Sequence, residues 1–477
     1  MSEERVPLST KLAYGVGAVA YGIKDNGFSV FLLLFYNQVV GLPADQVGLA
    51  IMVALFVDAL IDPAIGSLSD RTHTRIGRRH PWLYASTLPI AISWILLWNP
   101  PAAGPGATLG YLVLVAILVR AAISTNEVPS AAMVPELTRD YHERTAVIRY
   151  RYMFGWASGL AMLMAAYGYF LAPPHGSPTG PLARPGYHDF AIAGAAIMAI
   201  SVLASAIGTH RRLAKPPKHR IATLSPGQEL RAILRTLANR PFLLLMAAGV
   251  FAYINQGITF AMANYLLGFV WLFRPAQFLI YAVSLFAGVL LAFFIVTPVA
   301  RAFGKRDGAA IMTLLSAAFN TMPYWLRLLR VFPEPGDPML LPLLLTLVSL
   351  ATGFSVCVMM LIGSMVADVV EASEERSGRR EEGLFFAGNL LMQKCTSGLG
   401  IFASGMVLAL AGFPAKAVPG RVPVDVLDRL TLYVAGLTVV IALAAAWLFT
   451  RFPISKADHE ARLAKLAVAA SETHAKP

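Results

Sequence analysis

The chain has 477 residues, 57% of them hydrophobic and 14% charged, and its mean hydropathy is +0.62. No water-soluble fold of this size could bury so large an apolar share, so composition excludes a soluble globular enzyme and places the chain in a bilayer. The formal net charge of +12 is dispersed over short segments between apolar runs, a distribution that follows membrane topology and argues against a nucleic-acid partner.

Apolar runs of about 18 to 28 residues, each able to cross a hydrocarbon core of about 30 Å as a helix, set the predicted elements. They fall at 12–40, 46–68, 82–99, 108–134, 151–172 and 188–209, then at 241–269, 276–300, 309–330, 339–366, 384–412 and 430–451. Most of the 39 Lys and Arg residues lie in loops on one side of these spans. The positive-inside rule therefore predicts a multi-pass inner (plasma) membrane protein with both termini in the cytoplasm. The opening MSEERVPLSTKLAYG has no short apolar core followed by a small-residue cleavage site, so the first helix is expected to stay uncleaved. The only cysteines, Cys357 and Cys395, fall in predicted spans, and disulfides are not expected.

The basic, Pro-rich segment 210–240 reads as a cytoplasmic linker between an N-terminal six-helix bundle, 1–209, and a C-terminal one, 241–451. Its charge also permits contact with anionic lipid. The tail 452–477, rich in Ala and Lys, reads either as a short amphipathic helix on the membrane or as disordered chain. An internal repeat supports the division: Val134–Thr145 aligns without gaps on Val366–Ser377, matching Glu136 with Asp368 and Glu143-Arg144 with Glu375-Arg376. The loop 66–82, containing Asp70-Arg71, has a shorter counterpart at 301–307. Such Gly-to-Asp-Arg turns let two helices approach and set charge pairs at the cytoplasmic face, so Asp70, Arg71, Glu143, Arg144, Glu375 and Arg376 are expected to form gating loops. Six plus six helices with these loops resemble the major facilitator superfamily. The expected fold class is an all-α membrane protein of twelve transmembrane helices in two pseudo-symmetric six-helix bundles.

Ionisable groups inside the spans are Lys24, Asp25, Asp58, Asp62, Arg120, Glu127 and Lys394. Each is costly in hydrocarbon unless it finds a partner or a wet cavity, which makes each a functional candidate. Asp58 and Asp62, four apart, share a helix face, and two carboxylates at low dielectric should hold a shared proton or a cation between them. The alternative is a salt bridge from one of them to Lys24, Arg120 or Lys394. On the fourth helix Arg120, Ser124, Glu127 and Ala131 form one stripe beside Asn126. Lys24 and Asp25, between Gly22 and Gly27, sit where a backbone break could line a cavity. Asn389, Gln393, Lys394 and Ser397 add polar groups on the eleventh helix. A carboxylate-rich cavity walled by Tyr21, Tyr152, Trp156, Tyr253 and Trp271 would suit a polyhydroxylated solute, because acids accept hydroxyl protons and rings cover sugar faces.

These residues resemble the glycoside-pentoside-hexuronide cation symporters, the melibiose-permease group of that superfamily. The resemblance covers nearly the whole chain and is carried by Lys11–Gly17, Lys24-Asp25, Asp58–Pro63 with the Asp-Arg-Thr loop to Pro81-Trp82, Glu127-Val-Pro129, Glu143-Arg-Thr145 with Tyr150-Arg151, and Lys394. It implies symport of a sugar, glycoside or uronide by alternating access, with no cofactor beyond a coupling ion, proton or sodium, and no bound metal centre. Asp58 and Asp62 match the family's cation-binding aspartates, Ser124 falls where a hydroxyl completes that site, and Lys394 matches the lysine that links the eleventh helix to it. Asp25 and Glu127 match the carboxylates that hold sugar hydroxyls, and Arg151 an arginine near the substrate. With Lys24, Arg120, Asn126, Tyr152, Trp156, Asn389 and Gln393 these make the expected substrate site. Ile61 replaces an asparagine oxygen, which favours a proton over sodium. Ala131 stands where a sugar-stacking tryptophan is found, which removes the ground for a galactoside preference. The cations Lys24, Arg120, Arg151 and Lys394 would suit a uronide.

The expected partners are a small-molecule substrate and membrane lipid, and the chain is expected to be monomeric and not an enzyme. Three other readings compete. A lysolipid-like or other amphipathic solute is permitted by Ala131 and the many Leu and Phe residues. A membrane prenyltransferase could chelate magnesium diphosphate at Asp58 and Asp62, but it wants a second Asp-rich motif, and the Glu371–Glu382 cluster is interleaved with arginine. The third is a non-transporting sensor of the same fold.

Overall fold

The computed structural model describes residues 6–138, 141–172, 180–213, 238–377 and 382–453. Most of the expected linker and tail, at 214–237 and 454–477, lies outside them. Backbone donors and acceptors in hydrocarbon must be satisfied within the segment, and the described residues are helical, with an isolated Thr74–Gly77 bridge in one loop.

Nine of the described helical stretches are long and apolar enough to cross a membrane. One of them, Pro275–Leu328, is two helices joined across Gly304, whose φ of 75° no helix contains. Splitting it and adding Tyr141–Ala165 and Glu382–Leu410 gives the expected twelve. In chain order they are α1 (Leu8–Val40), α2 (Ala44–Arg71), α3 (His80–Trp98), α4 (Pro105–Ala131), α5 (Tyr141–Ala165) and α6 (Arg184–Leu213). There follow α7 (Arg240–Tyr265), α8 (275–303), α9 (305–328), α10 (Leu340–Ser377), α11 (Glu382–Leu410) and α12 (Val424–Thr450).

Several helices outrun their apolar cores. The structure starts α5 at Tyr141 where hydropathy predicts 151, and carries α10 to Ser377 where it predicts 366. Hydropathy marks the depth of the bilayer, whereas Glu, Arg and Ala beyond it are good helix formers that keep the backbone winding. The expected break at Lys24-Asp25 is also corrected. Both residues lie in the regular stretch Val19–Asn26, and the helix instead widens into π-helical turns at Gly27–Phe31 and Phe35–Val40 before Gly41 ends it at φ 101°. Such wide turns cluster at functional sites.

The chain divides into two compact units. The first is Met1–Thr223 with Gly257–Val283 and Ser397–Leu430; the second is Leu224–Gln256 with Ser284–Thr396 and Thr431–Pro477. In the first, α2 packs along α4, α3 along α6, and α1 along α5. The last pair approach most closely where Gly22 lies against the Gly155 carbonyl, and Gly159, one turn on, lies against Asn26 and Gly22. Two glycines four apart on α5 present a flat face that lets backbones touch, the small-residue packing of helices in lipid. An aromatic cluster of Phe31, Phe35, Trp94, Trp98, Tyr187 and Phe190 fills the space between α1, α3 and α6, with Trp98 stacked on Tyr187 at 5.5 Å. The second unit has its own core, in which Phe242, Cys357, Leu361, Met365, Val369, Phe385 and Phe449 are buried. Large apolar side chains elsewhere face outward, Leu60 at 78% and Phe294 at 76% exposure, as a lipid-facing surface requires.

Candidate functional site

The first unit holds a buried charge pair at its centre. Asp58 on α2 and Arg120 on α4 are 1% and 2% exposed. Arg120 donates from Nε at 3.0 Å and from Nη2 at 2.5 Å to Asp58 Oδ2, while the Ser124 hydroxyl donates to Oδ1 at 2.7 Å. Arg120 and Ser124 are one turn apart, so α4 presents both donors on one face to a single carboxylate. The Phe28 ring lies 5.4 Å from the guanidinium carbon, near enough for a cation–π contact. The salt-bridge alternative is thus the arrangement observed for Asp58. Asp62, a turn further along α2, is half-buried.

Around this pair stand the other candidates on α1, α4 and α5. Lys24, 1% exposed, lies 3.4 Å from the half-exposed Asp25 and places Nζ 4.4 Å from the centre of the Tyr21 ring. Arg120 is within electrostatic reach of Asp25 and Glu127 as well as Asp58. Tyr21 is within reach of Asp25, Glu127, Arg120 and Tyr152. Arg151 donates to the hydroxyls of Ser130 at 3.0 Å and Tyr14 at 3.2 Å and to the Glu127 carbonyl at 3.3 Å. It therefore ties α5 to the α4 turn that carries Glu127. Asn126 is buried, while Tyr152 and Trp156, one turn apart on α5, are exposed. The set offers two carboxylates, an aromatic hydroxyl and fixed cations, the donors and acceptors a polyhydroxylated or anionic solute needs.

Asn389, Gln393 and Lys394 belong to the second unit, on α11, where the Tyr253 hydroxyl donates to Asn389 at 3.4 Å. Trp271 is buried in the first unit.

The loop residues form a network joined by Arg79, which was not singled out in sequence, and by Glu136, which was matched there with Asp368 but not assigned to the gating loops. Glu136 accepts from Arg78 at 2.8 Å and from Arg79 at 3.3 Å. Arg79 also reaches Ser69 and pairs with Asp70, so Asp70 is held by Arg79 and Arg71 is exposed. Glu143 pairs with Lys11 at 2.7 Å and accepts from the Val6 amide, and Arg144 donates to the Thr138 carbonyl. In the second unit the repeat partner of Glu136, Asp368, pairs with Lys305 at 2.5 Å, reproducing the same link to the corresponding loop. Glu375 is exposed, and the Arg376 side chain lies outside the described residues.

A further cluster went unread because it contains amides and phenols instead of charges. Asn264 on α7 donates to the Val30 carbonyl at 2.9 Å and accepts from the Tyr167 hydroxyl at 2.8 Å. Tyr265 donates to Asn37 at 2.9 Å, and Gln38 bonds the Pro414 carbonyl and the Ala417 amide at 3.0 and 2.8 Å. The available signal was four polar side chains, Asn37, Gln38, Asn264 and Tyr265, inside apolar spans.

Comparison with known proteins identifies the family. The family model described as MFS/sugar transport protein matches residues 13–456. An uncharacterized symporter of Synechocystis is 28% identical, with 96% of each chain covered. The isoprimeverose transporter of Lactiplantibacillus pentosus is 25% identical over 86% of this chain and 82% of its own. The sodium-dependent lysophosphatidylcholine symporter 1 of Gallus gallus is 24% identical over 95% and 88%. A solved D-xylose-proton symporter superposes with a TM-score of 0.62 at 15% identity, covering 94% of this chain and 98% of its own.

Proposed function

Because the chain belongs to the glycoside and cation symporters of the major facilitator superfamily, and is a multi-pass inner-membrane transporter and not an enzyme, we propose that it carries a sugar, glycoside or uronide in symport with a proton. The observation that carries this reading is the cluster of Asp25, Glu127, Tyr21 and Arg151 beside the Asp58–Arg120 pair. Asp25 and Glu127 accept substrate hydroxyls, Arg151 fixes the α4 turn that carries Glu127, and Lys24 beside Asp25 favours a carboxylate on the solute. Asp58 and Asp62 form the coupling pair, in which Asp58 is held by Arg120 and Ser124 and Asp62 carries the coupling, and Ile61 between them withholds the oxygen a sodium ion would want. Substrate and proton bind in turn, and the loaded carrier exposes them to the other side. The carrier works as a monomer with its termini in the cytoplasm.

Charge movement recorded from proteoliposomes on adding glycosides, pentosides and uronides, with and without sodium at two pH values, tests the assignment. A solute-evoked current that grows in acid and ignores sodium supports it; silence across the panel refutes the substrate class. A second reading, an amphipathic lysolipid-like solute, is favoured by the lysophosphatidylcholine symporter among the relatives and by exposed Tyr152 and Trp156. A current evoked by lysolipids and not by sugars would select it.

A further inference from the structure

A carboxylate buried to 1% must be neutralised, and the chemistry of Asp58 shows by what. Both of its oxygens are engaged by α4: Oδ2 by two nitrogens of Arg120, Oδ1 by Ser124. The guanidinium is itself buried and covered by Phe28. It keeps its charge at any pH a protein experiences. A diffusible metal ion that ligated Oδ2 would have to displace Nε and Nη2 and leave a 2%-exposed arginine beside a second cation, the least favourable arrangement electrostatics offers here. The neighbouring position 61 adds no oxygen, being isoleucine.

We propose that Arg120 is the resident cation of Asp58: a tethered guanidinium fills the place that sodium or lithium would take at this carboxylate. In this state Asp58 binds no metal ion, and proton coupling proceeds through Asp62. This deepens the symport reading by naming the residue that sets ion choice, and it rests on that reading only for the role of Asp62. The same geometry says what removal of Arg120 would create. A space would be left beside Asp58 Oδ2, with Oδ1 and the Ser124 hydroxyl next to it, a set of hard oxygens suited to a small cation.

The test needs no substrate, so it can fail while the transport assignment stands, or the reverse. Thermal unfolding of the purified full-length protein is followed in sodium, lithium and choline chlorides at equal ionic strength, with 22Na+ retention as the second readout. The wild type is expected to show the same Tm in all three salts and no retained 22Na+ that depends on Asp58. Arg120→Gln and Arg120→Ala are expected to gain a rise in Tm specific to sodium or lithium and to retain 22Na+, and both gains should vanish in Arg120→Ala/Asp58→Asn. Wild-type sodium binding that is lost in Asp58→Asn overturns the proposal. So do folded Arg120 variants that stay indifferent to sodium. If the single variants do not fold in choline while the charge-neutral double variant does, and sodium restores the singles, the tethered-cation role is supported. If sodium does not restore them, it is overturned.

Discussion

Replacing Asn264 with Leu is a near-isosteric change that removes two hydrogen bonds from a site that is 2% exposed. It strands the Tyr167 hydroxyl, which loses its acceptor, and takes the side-chain donor from the Val30 carbonyl in the π-helical turn of α1. Each stranded buried group costs about 1–3 kcal/mol, so Asn264→Leu should lose about 2–5 kcal/mol of stability. Adding Tyr167→Phe removes one stranded group and should recover about 1–3 kcal/mol, making the double variant more stable than Asn264→Leu alone. The assay is unfolding in mild detergent titrated with a denaturing one, followed by tryptophan fluorescence and repeated for the four members of the double-mutant cycle. A loss under about 0.5 kcal/mol for Asn264→Leu, or strict additivity in the cycle, would refute the reasoning that these groups depend on one another.

Other expectations follow from the charged sites. Glu127→Gln should weaken substrate binding by about 10-fold or more, the scale of one charge-assisted hydrogen bond, while leaving the Asp58–Arg120 pair and the fold intact; a binding titration against the unfolding midpoint separates the two effects. Glu136→Gln and Asp368→Asn, matched in sequence and holding Arg78/Arg79 and Lys305, should both shift the accessibility of single cysteines introduced at the loop-bearing end in the same direction, and opposite shifts would count against the repeat. Gly22→Val should abolish accumulation of folded protein, because the new side chain meets the Gly155 backbone, which cannot rotate away; a normal size-exclusion profile would show that α1 and α5 can separate at that point.

Much of the architecture is legible in the chain because lipid imposes one requirement on every span. Apolar runs locate all twelve helices, and Glu136 and Asp368, matched in sequence, each pair with a basic residue of the preceding loop. Helix ends are less legible, since α5 and α10 continue as charged helix beyond the bilayer, whereas the break at Gly304 falls inside the loop 301–307 that the apolar runs leave between 276–300 and 309–330. Within the site, local spacing points to Asp58 with Asp62, four apart on one helix. The structure gives Asp58 a partner 62 residues away, because packing α2 along α4 brings Arg120 and Ser124 to it. Sequence distance cannot show that choice among Lys24, Arg120 and Lys394, since all three are cations in apolar spans. The Asn37, Gln38, Asn264 and Tyr265 cluster escaped notice for a simpler reason: uncharged polar groups cost less in a span and draw less attention.

The central claim is proton-coupled solute transport, and the most direct measurement is accumulation of a radiolabelled glycoside or uronide in proteoliposomes driven by an inward pH gradient without sodium. The account predicts accumulation above equilibrium that collapses on adding a protonophore, is unchanged by sodium, and is absent in Asp62→Asn. Accumulation that requires a sodium gradient and ignores pH, or that persists in Asp62→Asn, would contradict it.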